Sequence, residues 1–358
     1  MNTQTLIIGG GLSGLALANA LQAQGEDFLL VEARDRFGGR IKTAQFAGAG
    51  FDLGPAWFWP GQPRIAALVE QLGLEVFVQF SQGDHVYEDA QGEMHQGHEY
   101  VSMEGSLRLK GGLIASISAL AARLPNSRLM LNSQVIELHE QPDCITATLA
   151  AGAAITAKRV VLALPPRIAA NLTFAPALSE AVQRTLQHIP TWMAGQAKAL
   201  AIYDQPFWRH AGLSGDAMSR IGPMAEIHDA SPVSGGPFAL FGFIGIPPAG
   251  RRDKELLEDR LKAQFGHLFG AKARDPLKLI VVDWADDPFT ATQADQHPQD
   301  HHPQYGLPAA LNGLWSGKIL FAGTEVATTF GGYLEGALEA AEAALVTLNQ
   351  SERIANAQ

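Results

Sequence analysis

The sequence predicts an α/β fold in two domains, and three observations carry that expectation. Thr5-Leu6-Ile7-Ile8, then Gly9-Gly10-Gly11-Leu12-Ser13-Gly14, a helical stretch and Phe28-Leu29-Leu30-Val31-Glu32 follow in the order strand, glycine turn, helix, strand, acid. That is the order of a Rossmann-like nucleotide-binding unit. A late apolar strand, Lys318 to Gly323, leads into an Ala-rich helix beginning near Tyr333, so the first domain is assembled from separated segments. Between these ends lie β-rich runs with scattered helices, which read as an inserted α+β domain on a mixed sheet. The expected division is 1–75, 104–175 and 286–358 for the nucleotide domain, with 76–103 and 176–285 for the insertion.

The elements follow in order along the chain. Leu15 to Gln24 is the first helix, and Gly54-Pro55-Ala56-Trp57-Phe58-Trp59-Pro60-Gly61 is a rigid loop before a helix from Arg64 to Leu72, closed by Gly73. Val76 to Val101 shows short β-like runs broken at Gly83-Asp84 and Gln91-Gly92, as in a hairpin or meander. Leu113 to Leu124 is helical, Arg128 to Leu149 supplies paired strands, and Arg159 to Leu164 is a buried strand stopped by Pro165 and Pro166. A helix near Leu178 to His188 and a strand at Ala197 to Tyr203 come next. The Gly/Ser/Pro-rich stretch from Ala211 to Pro237 is expected to be mobile, before an apolar strand at Phe238 to Ile246. Asp253 to Phe269 has helical spacing, and Leu277 to Trp284 is a further strand.

Composition narrows the function classes. A chain of 358 residues, 47% hydrophobic, has enough apolar side chain for well-packed cores. Its formal net charge of −10, with no run of basic residues, gives no general attraction to nucleic acid or anionic lipid. Cys144 is the sole cysteine, which excludes an internal disulfide and a thiolate metal cluster. No secretory pattern and no apolar run of membrane-spanning length is present, so the expected location is the cytoplasm, without a membrane partner.

The chemistry starts at the glycines. Gly9 allows the tight turn, Gly11 lets backbone approach a pyrophosphate, Gly14 lets helix and strand pack closely, and the helix N-terminus receives the phosphate charge. Glu32 is placed to accept hydrogen bonds from an adenosine ribose, and its charge disfavours a 2′-phosphate. Lys198 stands in the otherwise apolar strand Ala197-Lys198-Ala199-Leu200-Ala201-Ile202, where it must reach solvent by its stem or meet a specific partner. His297, His301 and His302 are separated by Pro298 and precede Pro303, the pattern of a solvated loop rather than a metal site. Asp283, Asp286 and Asp287 fit strand-end and turn roles.

Several segments resemble, in the same order, the flavin-containing amine oxidases of the monoamine oxidase and polyamine oxidase type. Beyond the N-terminal glycines these are Glu32-Ala33-Arg34 with Gly38-Gly39-Arg40, Asp52-Leu53-Gly54-Pro55-Ala56-Trp57, Lys110-Gly111-Gly112-Leu113 and Ala163-Leu164-Pro165-Pro166. They continue with Lys198 before Pro206-Phe207-Trp208, Trp284 with Asp287-Pro288-Phe289, and Ala322-Gly323-Thr324-Glu325 running into Gly331-Gly332-Tyr333-Leu334-Glu335-Gly336-Ala337.

The resemblance implies a Rossmann-like (GR2-type) FAD-binding domain, with FAD rather than NAD in the nucleotide site. The implied cofactor-binding residues are Gly9, Gly11, Ser13, Gly14, Glu32, Ala33, Arg34, Gly38, Gly39, Arg40, Gly54, Pro55, Ala56, Trp57, Val135, Gly323, Thr324, Glu325, Gly332, Tyr333, Leu334 and Ala337. In this resemblance Val135 contacts adenine through its backbone and Glu325 lies near the ribityl chain. Lys198, Tyr333 and Trp284 take the catalytic positions, Lys198 over flavin N5 through a bound water. The implied reaction oxidises an amine to an imine, then aldehyde and ammonia, with O2 reduced to hydrogen peroxide.

Three departures from the family accompany this. The second of two paired aromatic residues falls near Ala294, with Phe289, Trp57 and Phe330 as candidate replacements. Gln293 stands where mitochondrial members carry the flavin-bearing cysteine, so FAD is expected to be noncovalent. The chain is short between Leu74 and Val135, so its pocket is either more open or completed by a second subunit, as a homo-oligomer. Two alternatives stay open: a related desaturase or protoporphyrinogen-oxidase-like enzyme acting on carbon-carbon bonds, and a flavin-binding partner protein without turnover.

Overall fold

A computed structural model describes residues 1–97, 103–233 and 235–356. Two large sheets organise them. In the first, strand Asn2–Ile8 lies parallel between Phe28–Val31 and Ala154–Leu162, and Leu129–Met130 extends it beyond Phe28–Val31. Strand Ala154–Leu162 is shared. Its first half pairs antiparallel with Ile145–Leu149, opening a meander with Val135–Glu140, while its second half pairs parallel with the late strand Ile319–Phe321.

Side-chain alternation assigns the faces of this sheet. Ile7, Leu30 and Val161 point to one side, where helices Leu12–Gln24, Pro63–Gln71, Ile114–Ala122 and Leu334–Asn356 bury Leu15, Leu68, Ile117 and Leu338. Leu6, Ile8 and Val160 point to the other, with Leu138, Phe321 and helix Glu180–His188, which contributes Val182 and Leu186. Ser179 begins that helix by accepting from the Val182 N–H.

The second sheet runs Lys278–Asp283, Ala197–Tyr203, Phe238–Ile244, Met224–Asp229, Leu213–Ser219, Asp84–Glu88, Met94–Gly97. Among the described strands of this sheet only the pairing of Leu213–Ser219 with Asp84–Glu88 is parallel. Helix Lys254–Phe269 covers one face through Leu257, Leu261 and Phe265 against Ala199, Leu240 and Ile244. On the other face Leu200, Ile202 and Phe241 pack on Phe51, Leu53 and Trp57. Lys198 alternates with Ala197 and Ala199, so it belongs to that second face and points toward the loop before Trp57.

One expectation is corrected. Within the stretch from Ala211 to Pro237 expected to be mobile, Leu213–Ser219 and Met224–Asp229 are strands, with Ser214 and Asp229 fully buried. Its polar residues look like loop composition because their partners lie far off in sequence, as when Asp229 accepts from Trp208 and Arg209. Of the hairpin or meander expected from Val76, Asp84–Glu88 and Met94–Gly97 form an antiparallel hairpin, Val76–Val78 pairs instead with Leu107–Leu109, and the remainder at 98–101 lies outside the described residues. No described helix is long and apolar enough to cross a membrane.

Candidate functional site

The glycines after the first strand are required for two different reasons. A Cβ on Gly14 would stand 2.0 Å from the Gly9 carbonyl oxygen, and one on Gly9 2.5 Å from that of Ala163. A Cβ on Gly11 would meet nothing closer than the Gly38 oxygen at 3.9 Å. The fold therefore demands Gly9 and Gly14, whereas at Gly11 the space is left open. Gly11 is also the N-cap of helix Leu12–Gln24, without a side-chain cap or an acid in the first turn, so the helix presents its N–H groups and dipole toward that space. A pyrophosphate fits such a cradle.

Glu32, 4% exposed, faces it from the next strand. Its carboxylate accepts from the Gly10 N–H at 2.7 Å and the Arg34 N–H at 3.0 Å. Two backbone donors leave lone pairs for a diol, which suits a ribose. Val135 is buried at the start of its strand nearby, where Ser133 N–H donates to the Glu32 carbonyl. Ser13 turns inward and donates to the Ala322 carbonyl.

The Gly38-Gly39 turn docks on this cradle through Gly38 N–H to the Gly10 oxygen, 2.8 Å. Arg36 holds it, donating to the carbonyls of Phe37, Gly39 and Ile41 at 3.3, 2.9 and 3.0 Å. The sequence reading did not single out Arg36, since arginine-to-backbone clamps have no spacing signature. Arg34 reaches Asp287 at 2.7 Å and Thr290 at 3.0 Å, with Phe289 beneath its guanidinium. Arg40 binds Glu325 through two bonds of 2.6 and 3.2 Å, and Glu325 is fully buried. Glu335 caps helix Pro63–Gln71, accepting from the Arg64 and Ile65 N–H groups at 3.0 and 2.9 Å.

Lys198 lies on the second sheet, 5% exposed. Its Nζ donates to the Gly54 carbonyl at 2.5 Å and sits over the rings of Phe243 and Phe241, 4.7 and 5.3 Å from their centroids. Burial drives its pKa down to about 7, opposed by the charge of Asp52. Asp52 is pushed up to about 6 by burial, opposed by the Thr43 hydroxyl, the Leu113 N–H, Arg108 and Lys198. Trp284 Nε1 donates to the Leu53 carbonyl at 3.1 Å, fixing the same loop, and Ala56 is buried within it.

Tyr333 precedes helix Leu334–Asn356, with the Ala337 N–H on its carbonyl, and is 38% exposed. Thr324 Oγ1 accepts from Gly332 N–H at 3.0 Å and donates to the Tyr333 carbonyl at 2.9 Å. Of the candidate replacement rings, Phe289 lies under Arg34, and Trp57 lies against His228, Phe241 and Phe243. The ring stacked on Tyr333 is His302, 4.9 Å away at 16°, held edge-on by Trp192 and Tyr305. Loop geometry brings it there, and residue spacing gives no sign of it.

A family model described as flavin containing amine oxidoreductase matches residues 12–100 and 94–345. The putative flavin-containing monoamine oxidase AofH of Mycobacterium tuberculosis is 26% identical over 95% of this chain and 95% of its own. Among solved structures, putrescine oxidase bound to putrescine has a TM-score of 0.82 at 19% identity, covering 98% of this chain and 99% of its own. Cyclohexylamine oxidase from Brevibacterium oxydans has a TM-score of 0.84 at 20% identity, covering 99% and 100%.

Proposed function

The chain belongs to the flavin-containing amine oxidoreductases, and from that premise we propose that it binds FAD noncovalently and oxidises an amine to an imine, with O2 as the electron acceptor. FAD held by Gly11, Glu32 and the Gly38-Gly39 turn would supply a two-electron acceptor for the carbon bearing nitrogen and pass those electrons to O2, giving hydrogen peroxide, while the imine product would hydrolyse in water to aldehyde and ammonia. The observation that carries the reading is Lys198, a buried cation at the seam between the Gly54 loop and the second sheet.

The chain's own residues divide the work. Gly11 and the uncapped helix end receive the pyrophosphate, Glu32 the ribose, and Arg36 keeps the Gly38-Gly39 turn in place. Phe241, Phe243, Leu200 and Trp57 supply apolar walls that exclude water from the reacting end. Lys198 holds a charge that switches near neutral pH. Gln293 has no thiol, which supports noncovalent attachment, and Cys144 lies away at the turn joining Val135–Glu140 to Ile145–Leu149, donating to Gln141 Oε1.

Two experiments test this. Anaerobic mixing with amines is expected to bleach the visible flavin band, and admitting air to restore it with release of peroxide. Bleaching by non-amine substrates alone would transfer the reading to carbon-carbon oxidation. The glycines give a second check: Gly11→Ala leaves the melting temperature of the apoprotein unchanged but weakens flavin binding about tenfold or more. Gly14→Ala destabilises the apoprotein itself by about 2–3 kcal/mol. Equal melting losses in both would remove Gly11 from the cofactor cradle.

A further inference from the structure

One carboxylate of helix Leu334–Asn356 has no part in the reaction described above, yet it holds the turn that leads into Tyr333. Glu339, in the second turn of that helix, reaches back over the helix start. Its Oε1 accepts from the Thr328 N–H and hydroxyl, both at 2.9 Å, and from the Thr329 N–H at 3.1 Å. Its Oε2 accepts from the Thr329 and Phe330 N–H groups, both at 3.3 Å. Three successive backbone N–H groups aimed at one carboxylate form a nest. Burial opposes the charge there, but the Thr328 hydroxyl and the N–H groups outweigh it and hold the Glu339 carboxyl below the usual carboxylate range.

The clamp passes to Tyr333 through one residue. Phe330 gives its N–H to Glu339, and its carbonyl accepts from the Tyr333 N–H at 3.1 Å. That carbonyl is wedged against the helix, since a Cβ on Gly336 would stand 2.0 Å from it. The next two residues lie flush against the Tyr305 ring: a Cβ on Gly331 would come within 2.3 Å of Tyr305 Cβ, and one on Gly332 within 3.1 Å of Cε2. Tyr305 is itself tied down, its hydroxyl accepting from the Trp192 N–H at 3.0 Å and donating to the Pro190 carbonyl at 2.8 Å. The backbone from Phe330 to Tyr333 therefore has two anchors, Glu339 and Tyr305. The bonds from Thr328 and Thr329 to Glu339 are solvent-exposed, so water can replace the carboxylate at little cost in stability. Water does not replace the direction that it imposes on the turn.

Resting on the amine-oxidation reading, in which Tyr333 stands beside the reacting end of the flavin, we propose that Glu339 is a positioning residue for Tyr333, fixing the Thr328-Thr329-Phe330 turn so that the ring meets the substrate in one orientation. Its effect then falls on turnover rather than on folding or on flavin affinity, because a small misplacement of a ring costs rate before it costs stability.

The test uses Glu339→Ala, Tyr333→Ala and the double variant, all loaded with flavin. Without substrate, hydrogen exchange at the Thr328, Thr329, Phe330 and Tyr333 amides of Glu339→Ala should quicken about tenfold or more, with the melting temperature close to that of wild type. With an amine that wild type oxidises, kcat should fall about tenfold while flavin affinity holds. The double variant should be no slower than Tyr333→Ala, since residues that act as a unit do not add their losses. Glu339→Gln keeps one oxygen for Thr328 and should lose less than the alanine variant. Unchanged exchange, losses in kcat that add in the double variant, or a kcat that falls only in step with melting temperature overturn the proposal. A wild type that oxidises no amine ends the oxidase reading separately, and the visible flavin band then decides: a shift shared by both single variants and no larger in the double supports the positioning role, and its absence overturns it.

Discussion

Lys198→Met is expected to slow the reaction of the reduced protein with oxygen about a hundredfold or more, while flavin stays bound and substrate still bleaches it. Methionine keeps the length of the side chain and its contact with Phe241 and Phe243, so the substitution removes a charge and little packing. The wild-type oxygen reaction should be faster below pH about 7, where Lys198 is protonated, and slower above it; the variant should show no such inflection. An unchanged oxygen rate, or an inflection that persists, would assign the charge to another group.

Stability gives the same residue a second signature. A lysine whose folded value falls from 10.5 to about 7 disfavours the fold when protonated, and that cost fades as pH rises from about 7 toward 10.5. The variant lacks this cost, so its advantage in melting temperature should be greatest near neutrality and shrink in alkali. Asp52 works the opposite way. Its value is raised, so its contribution is complete below 3.8 and lost as pH passes about 6. Losing Lys198 removes one of the charges holding Asp52 down, which moves that loss to higher pH.

Arg40→Met should lower the stability of the apoprotein by about 3–5 kcal/mol, because it strands the fully buried Glu325 without its partner. Calorimetry of the single variant should show a clear fall in melting temperature. The double variant Arg40→Met, Glu325→Gln should recover most of it, since removing both charges is far less costly than removing one. Flavin binding should not recover with it if Arg40 also faces the cofactor. A single variant that melts with wild type would reduce the pair to a surface contact.

What could be read in the sequence follows the range of the interactions. Strand Ala197–Tyr203 was legible because seven consecutive buried residues with one lysine carry their own pattern. The glycine turn was legible as a unit, and position within it already separates Gly11, which faces open space, from Gly14, which stands against the Gly9 carbonyl. Strands Leu213–Ser219 and Met224–Asp229 were hidden because buried serine and aspartate imitate a loop until their partners are known. His302 was hidden for the same reason: its stacking on Tyr333 depends on a loop path across several prolines. Arg36 and Glu335 act on backbone atoms, which every sequence possesses, and so leave no compositional trace.

The contacts between the chain's two ends have a bearing on how the protein is made. Ser13 binds Ala322, Arg40 binds Glu325, and the start of helix Pro63–Gln71 is capped by Glu335, partners separated by 309, 285 and 270 positions. A ribosome delivers the glycine turn early and its partners only near the end of synthesis. Until then the nascent nucleotide half has a turn and a helix but no floor. Cofactor loading is therefore a late event in the life of each molecule, and chains cut before Ile319 should accumulate without flavin however well their first strands form.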